Sequence, residues 1–111
     1  MSECVFCKIV RGELPSRTVY EDDEVVAFHD VRPQAPTHVL VVPKRHVASI
    51  READDALLGT LFARVRDLAK ELETEGRGFR LVVNTGPEGG QTVPHLHVHI
   101  LAGRSFSWPP G

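Results

Sequence analysis

Residues 95–101 read His95-Leu96-His97-Val98-His99-Ile100-Leu101, imidazole and aliphatic side chains in strict alternation. Successive side chains of an extended chain point to opposite faces. His95, His97 and His99 therefore share one face, and Leu96, Val98 and Ile100 share the other, where they can meet a core. Neighbouring imidazoles on such a strand stand about 7 Å apart, and stacking three ionisable rings has no evident stability benefit. A chance solvated face is the plain reading, and two chemical readings compete with it. Alternating histidines can ligate a catalytic zinc, which calls for a further ligand and an open position. They can also act as nucleophile and proton donors in phosphoryl chemistry, which calls for amides and hydroxyls that hold phosphate. Gly89-Gly90-Gln91-Thr92 lies within five residues upstream and supplies flexible N–H groups, an amide and a hydroxyl. A glycine-rich loop alone is usually only a turn; its closeness to the histidines is what gives it weight.

The remaining pattern is that of an α+β chain. Residues 5–11 can form a short helix ending at Gly12. Thr18–Tyr20 and Glu24–Phe28 read as strands around the acidic turn Glu21-Asp22-Asp23, and Val39–Val42 as a strand buried on both faces. Over residues 54–75, Leu57, Leu58, Leu61, Phe62, Val65, Leu68, Ala69 and Leu72 keep one helical face apolar, with Asp54 as N-cap and Gly76 as the stop. Phe79–Asn84 and Leu96–Leu101 complete a five-stranded, mostly antiparallel sheet with one short and one long helix, the first two and last two strands being joined by hairpin-length links.

The chain has 111 residues, which fits a single domain over 1–111. With 41% hydrophobic and 25% charged residues the composition is that of an ordinary globular protein. The balance of 13 Lys and Arg against 15 Asp and Glu gives no broad field to attract nucleic acid or a membrane surface. Met1-Ser2-Glu3-Cys4 does not resemble the start of a secretory signal. No apolar run approaches the roughly 20 residues of a membrane span, and a cytoplasmic location is expected. Cys4 and Cys7 stand three apart, as a redox pair or half a metal site would.

The motif at 95–101, with the segments Phe28-His29-Asp30, Pro33-Gln34-Ala35-Pro36-Thr37-His38, Val42-Pro43-Lys44-Arg45-His46, Asn84-Thr85-Gly86, Gly90-Gln91-Thr92-Val93 and Trp108-Pro109-Pro110-Gly111, resembles the histidine-triad (HIT) family, in particular its Hint branch of nucleotide-binding proteins. The resemblance runs from about Cys7 to the last residue. It implies that His97 is a nucleophile toward the α-phosphorus of a nucleoside monophosphate derivative, that His99 contacts the phosphate, and that His38 joins the proton transfer. It also implies that Thr92 assists the leaving group and that Asn84 and Gln91 contribute phosphate-binding amides. Asp30 would take the ribose hydroxyls, Phe28, His29 and Val31 would line the base pocket, and Trp108 would reach a partner's site across a two-fold homodimer with a continuous sheet. Without the resemblance, Asp30 is a turn acid, His29 a surface histidine and Trp108 part of a mobile tail.

The same resemblance implies that Cys4 and Cys7 share a structural zinc with His46 and His95. In that case His95 is withdrawn from proton relay among the catalytic residues, while its carbonyl can still orient His97. Pro94 departs from the aromatic residue that often precedes the first histidine, and without an N–H it alters strand pairing there. The expected activity is a purine nucleoside phosphoramidase. The rivals are a dinucleoside polyphosphate hydrolase, a nucleotide-binding regulatory module with little turnover, and a zinc hydrolase.

Overall fold

The computed structural model describes residues 4–111; the reading of the N-terminal start extends over Met1, Ser2 and Glu3, which lie outside them. In chain order the elements are α1 (Val5–Val10), β1 (Thr18–Glu21), β2 (Val25–His29), β3 (Thr37–Pro43), α2 (Asp55–Leu72), β4 (Phe79–Val82) and β5 (Val98–Ala102), with short 3-10 turns at Ile50–Glu52 and Thr74–Gly76. The five strands form one sheet in the order β1-β2-β3-β5-β4, and every neighbouring pair is antiparallel.

Alternation along the central strands divides the core in two. Val25, Ala27, Val39, Val41, Leu96, Val98 and Ile100 face α2 and meet its Leu61, Val65, Leu68 and Ala69. Val26, Phe28, Leu40 and Val42 face the other way and meet Phe6 of α1. This is why residues 25–28 of β2 and 39–42 of β3 are apolar at every step: each run is covered on both sides. The second face is thinly covered, and it is here that His38 and His99 point, His99 lying opposite Leu40 in the β3–β5 ladder.

Local chemistry fixes the boundaries. Asp54 caps α2 by accepting from Leu57 N at 2.8 Å. The helix stops at Leu72, short of residue 75, because Glu73 turns extended and its carboxylate accepts from Gly78 N at 2.8 Å. Asp22 closes the β1–β2 turn by accepting from Glu24 N and Val25 N, and its other oxygen takes Tyr20 and Arg64, tying the hairpin to α2. Those donors hold its carboxyl well below the usual carboxylate range, Arg64 contributing most.

Two expectations need correction. The link between β4 and β5 is not hairpin-length; residues 83–97 lie between them. β5 also starts at Val98, so His95 and His97 precede the ladder. Pro94 has no N–H to give, His95 N turns back to Val93 O (2.8 Å), and Leu96 N bonds Val47 O (2.8 Å) rather than a strand partner. No helix among the described residues is long and apolar enough to cross a membrane.

Candidate active site and metal centre

The hydrogen bonds of the histidines determine which ring nitrogen carries a proton, because a backbone N–H only donates and a carbonyl only accepts. Gln34 N donates to His38 Nδ1 at 3.0 Å, so that nitrogen is a lone pair and Nε2 carries the hydrogen. His38 Nε2 lies 2.9 Å from His99 Nδ1 and donates to it. His99 Nδ1 is thereby an acceptor, and the proton of the neutral ring sits on Nε2. That Nε2 is the buried side-chain polar atom among the described residues with no hydrogen-bond partner. An unpaired buried donor costs roughly 1–3 kcal/mol, and an incoming oxyanion removes the cost.

His97 is set differently. Its Nδ1 donates to the carbonyl of His95 at 2.7 Å, which leaves the Nε2 lone pair available in the neutral ring. The ring is buried, with its centroid 5.1 Å from that of His99 and 5.0 Å from Phe6. Burial pushes His38 below its ordinary value against the opposing charge of Asp30, whose Oδ2 lies 3.4 Å from His38 Nε2. His99 is pushed down to about 4, first by burial and then by His97 and His38, again with Asp30 opposing. Both shifts favour the neutral rings.

His95 belongs to a second constellation. It is fully buried, and its Nε2 donates to Pro43 O at 2.8 Å, which turns Nδ1 into a lone pair. Burial is the main reason its proton affinity is lowered. His46 Nδ1 lies 3.1 Å away; Cys7 Sγ lies 3.2 Å from His46 Nδ1 and 3.5 Å from His95 Nδ1; Cys4 Sγ lies 3.7 and 3.4 Å from the same atoms. A tetrahedral zinc with bonds of about 2.3 Å to sulfur and about 2.0 Å to nitrogen requires sulfur–nitrogen edges of about 3.5 Å and a nitrogen–nitrogen edge of about 3.3 Å. The four donors fit, and the Pro43 carbonyl supplies the outer partner that a ligating histidine needs. Asp30, His38 and His99 also bring donor atoms together. There, however, His38 Nδ1 is already an acceptor, so a metal on Nε2 would leave that ring with no proton at all. This second group is a hydrogen-bonded histidine pair beside a carboxylate, with a hydrogen between the two rings.

Phe28, His29, Asp30 and Val31 line a cavity of about 530 Å³ together with Ile9, Arg17 and others, a size suited to a small ligand. Its floor residue Leu40 pairs with His99, and its rim residue Asp30 borders His38, so cavity and histidine pair adjoin. Thr92 is exposed and Asn84 half-buried, and neither side chain bonds another described residue. Gln91 is otherwise occupied. Its Oε1 accepts from Gly86 N, and its Nε2 gives both hydrogens to Ala48 O and Val93 O. Its amide braces the loop and is not available to a phosphate without breaking that brace. Gly89 completes the brace, since a Cβ there would lie 2.2 Å from Thr85 O. Trp108 is 81% exposed on the tail and does not line the cavity.

Sequence reasoning missed Phe6, which packs edge-on to His95, His97 and Phe28. It also missed the two backbone partners, Gln34 N and Pro43 O, which set the tautomers. Phe6 had a signal, as an aromatic between the two cysteines; the backbone partners had none.

Comparison with known proteins decides the family. The HIT domain model matches residues 11–106. The chain belongs to the HIT family. The match includes His38, His46 and the 95–101 motif, while Cys4, Cys7 and Trp108 lie outside it. A HIT-like protein of Synechococcus elongatus is 54% identical over 115 residues, covering 100% of both chains. The 14 kDa zinc-binding protein of Zea mays is 45% identical, over 99% of this chain and 89% of the maize protein. Among solved structures, a HIT family hydrolase from Legionella pneumophila superposes with a TM-score of 0.93 at 46% identity, over 98% of this chain and 100% of that one. A histidine triad protein from Clostridium difficile gives 0.88 at 45% identity, over 96% of each chain. The Legionella pneumophila neighbour, named a hydrolase, supports a hydrolase of HIT type.

Proposed function

We propose that this HIT protein is a nucleoside phosphoramidase that cleaves the phosphorus–nitrogen bond of a purine nucleoside 5'-monophosphate joined to an amine, through a nucleotidyl intermediate on His97. The observation that carries the reading is the unpaired Nε2–H of His99 beside the free Nε2 lone pair of His97. One ring offers a nucleophile, and the next offers a donor to the phosphoryl oxygen that the nucleophile's attack makes more negative.

The His97 Nε2 pair forms a bond to phosphorus and the bond to the amine breaks. The departing nitrogen keeps that electron pair and takes up a proton; the resemblance gives this transfer to the Thr92 hydroxyl, acting as a relay that regains its proton from solvent. The ring becomes cationic, and its Nδ1–H bond to the His95 carbonyl, already 2.7 Å, strengthens with that charge. Water then attacks phosphorus and gives up a proton to solvent, the phosphorus–Nε2 bond breaks with its electron pair returning to the ring, and nucleoside monophosphate leaves. Asp30 holds the ribose and Phe28, His29 and Val31 the base, in keeping with their place around the cavity.

The donor set of Cys4, Cys7, His46 and His95 is assigned to zinc, in line with the name of the maize relative. We further propose a two-fold homodimer. Edge strand β4 is paired only with β5, and its Phe79 and Leu81 are 38% and 39% exposed, which supports a second copy extending the sheet there and receiving Trp108 near its site.

His97→Ala tests the reading. Turnover of an adenosine phosphoramidate is expected to fall at least about a hundredfold while adenosine monophosphate still binds. Rates equal to those of the parent protein, or labelled nucleotide trapped on any residue other than His97, would refute it.

A further inference from the structure

We propose that the metal centre controls the nucleotide site: the four-ligand group at Cys4, Cys7, His46 and His95 holds α1 and the residue-95 peptide in place, and these two fix the ring of His97 and one wall of the nucleoside cavity. The inference rests on the phosphoramidase reading for what the cavity binds, but its structural part does not.

Three connections run from the metal group into the site. The first is the backbone of a ligand. His95 offers its Nδ1 to the metal group, is gripped at Nε2 by Pro43 O, and with its own carbonyl takes the Nδ1–H of His97. Moving that ring moves the acceptor that sets the nucleophile's tautomer. The second is Phe6. It lies between the two cysteines and packs edge-on to His97 with centroids 5.0 Å apart, and to His95 at 5.9 Å. The third is Ile9, one turn further on, which lines the nucleoside cavity.

α1 is a short element. It is six residues long, and its buried side chains are Phe6 and Cys7. An isolated helix shorter than about 12 residues is marginal in water. Cys4 caps it, with Sγ accepting from Cys7 N at 3.1 Å, so one thiolate is both helix cap and ligand. Besides the ligand contacts, the cluster of Phe6, Val26, Phe28, Leu40 and Val42, with Ile9, Val10 and Val93 packed against it, docks the helix. His95 and Phe6 are thus positioning residues for His97.

The test compares zinc-loaded protein with protein stripped by a chelator. Two readouts are used: the ¹⁵N imidazole spectrum of His97, which needs no nucleotide, and calorimetric binding of adenosine monophosphate. Loaded protein should give one ordered His97 ring with hydrogen on Nδ1. Stripped protein that keeps its sheet and α2 should show the tautomers averaging and affinity weakened by about tenfold or more. An unchanged ring spectrum and affinity after complete loss of zinc would overturn the proposal, as would failure of the intact chain to bind zinc at all. Should stripping unfold the whole chain, Phe6→Leu with zinc bound one per chain takes its place. It is expected to shift the same spectrum and weaken binding several-fold, and parent-like values would count against the proposal. If loaded protein binds no nucleotide, the phosphoramidase reading fails, and the ring spectrum still decides the coupling.

Discussion

Two histidine clusters stand on one face of the same sheet, yet they do opposite things with the same side chain. At Cys4, Cys7, His46 and His95 the lone pairs converge on one point. At His38 and His99 donor and acceptor alternate, ending in a donor with nothing to bind. Distance does not separate the two, since His46 and His95 nitrogens are 3.1 Å apart and those of His38 and His99 are 2.9 Å apart. What separates them is a single backbone group in each. A carbonyl, Pro43 O, takes the outer hydrogen of His95 and releases a lone pair inward. An amide, Gln34 N, fills the outer lone pair of His38 and sends a hydrogen inward. Between His95 and His38, the backbone acceptor frees an inward lone pair and the backbone donor frees an inward hydrogen.

The division predicts different losses at the two ends. Cys7→Ser removes a buried ligand and should cost on the order of 4 kcal/mol, the class of effect seen when a structural metal is lost. For a domain of this size that lowers Tm by about 15 °C in calorimetry. A fall of only a degree or two would mean that the cluster contributes nothing to the fold. At the other end, His99→Asn should lower phosphoramidate turnover by about ten- to a hundredfold, the range for loss of one proton donor, with Tm nearly unchanged. A variant that lost its Tm and kept its turnover would reverse the roles assigned here.

The third effect is in acid. His38 and His99 have folded-state values below the unfolded histidine value of about 6.5, that of His99 at about 4. Between those limits the unfolded chain binds protons that the fold refuses, so stability is complete above about pH 6.5 and declines as pH falls toward 4. His99 contributes at most about 1.4 kcal/mol per pH unit in that window, and His38 adds in the same direction. Denaturant titrations at pH 7 and pH 5 read it directly, and His99→Asn should flatten the slope. A slope of the opposite sign would show that the pair carries charge in the fold.

Much of this was legible in the residues. Alternation at 95–101 placed Leu96, Val98 and Ile100 in the core, and the spacing from Leu57 to Leu72 gave α2 and its buried face. Residues as far apart as Cys4 and His95 were grouped by family resemblance, and the structure brings their donor atoms together. Orientation was not legible. An amide such as Gln91 is equally able to grip phosphate or backbone, and only the arrival of Ala48 O, Val93 O and Gly86 N around it determines which. The position of a backbone partner such as Gln34 N depends on tertiary geometry, so the tautomers lie beyond any pattern of residue types.

The bond from His97 Nδ1 to the His95 carbonyl also dictates regiochemistry. With that nitrogen engaged, electrophiles of every kind, from activated phosphates to sulfonyl fluorides, meet only the far side of the ring. Adducts on His97 should be the tele isomer alone, with no pros product even under forcing conditions.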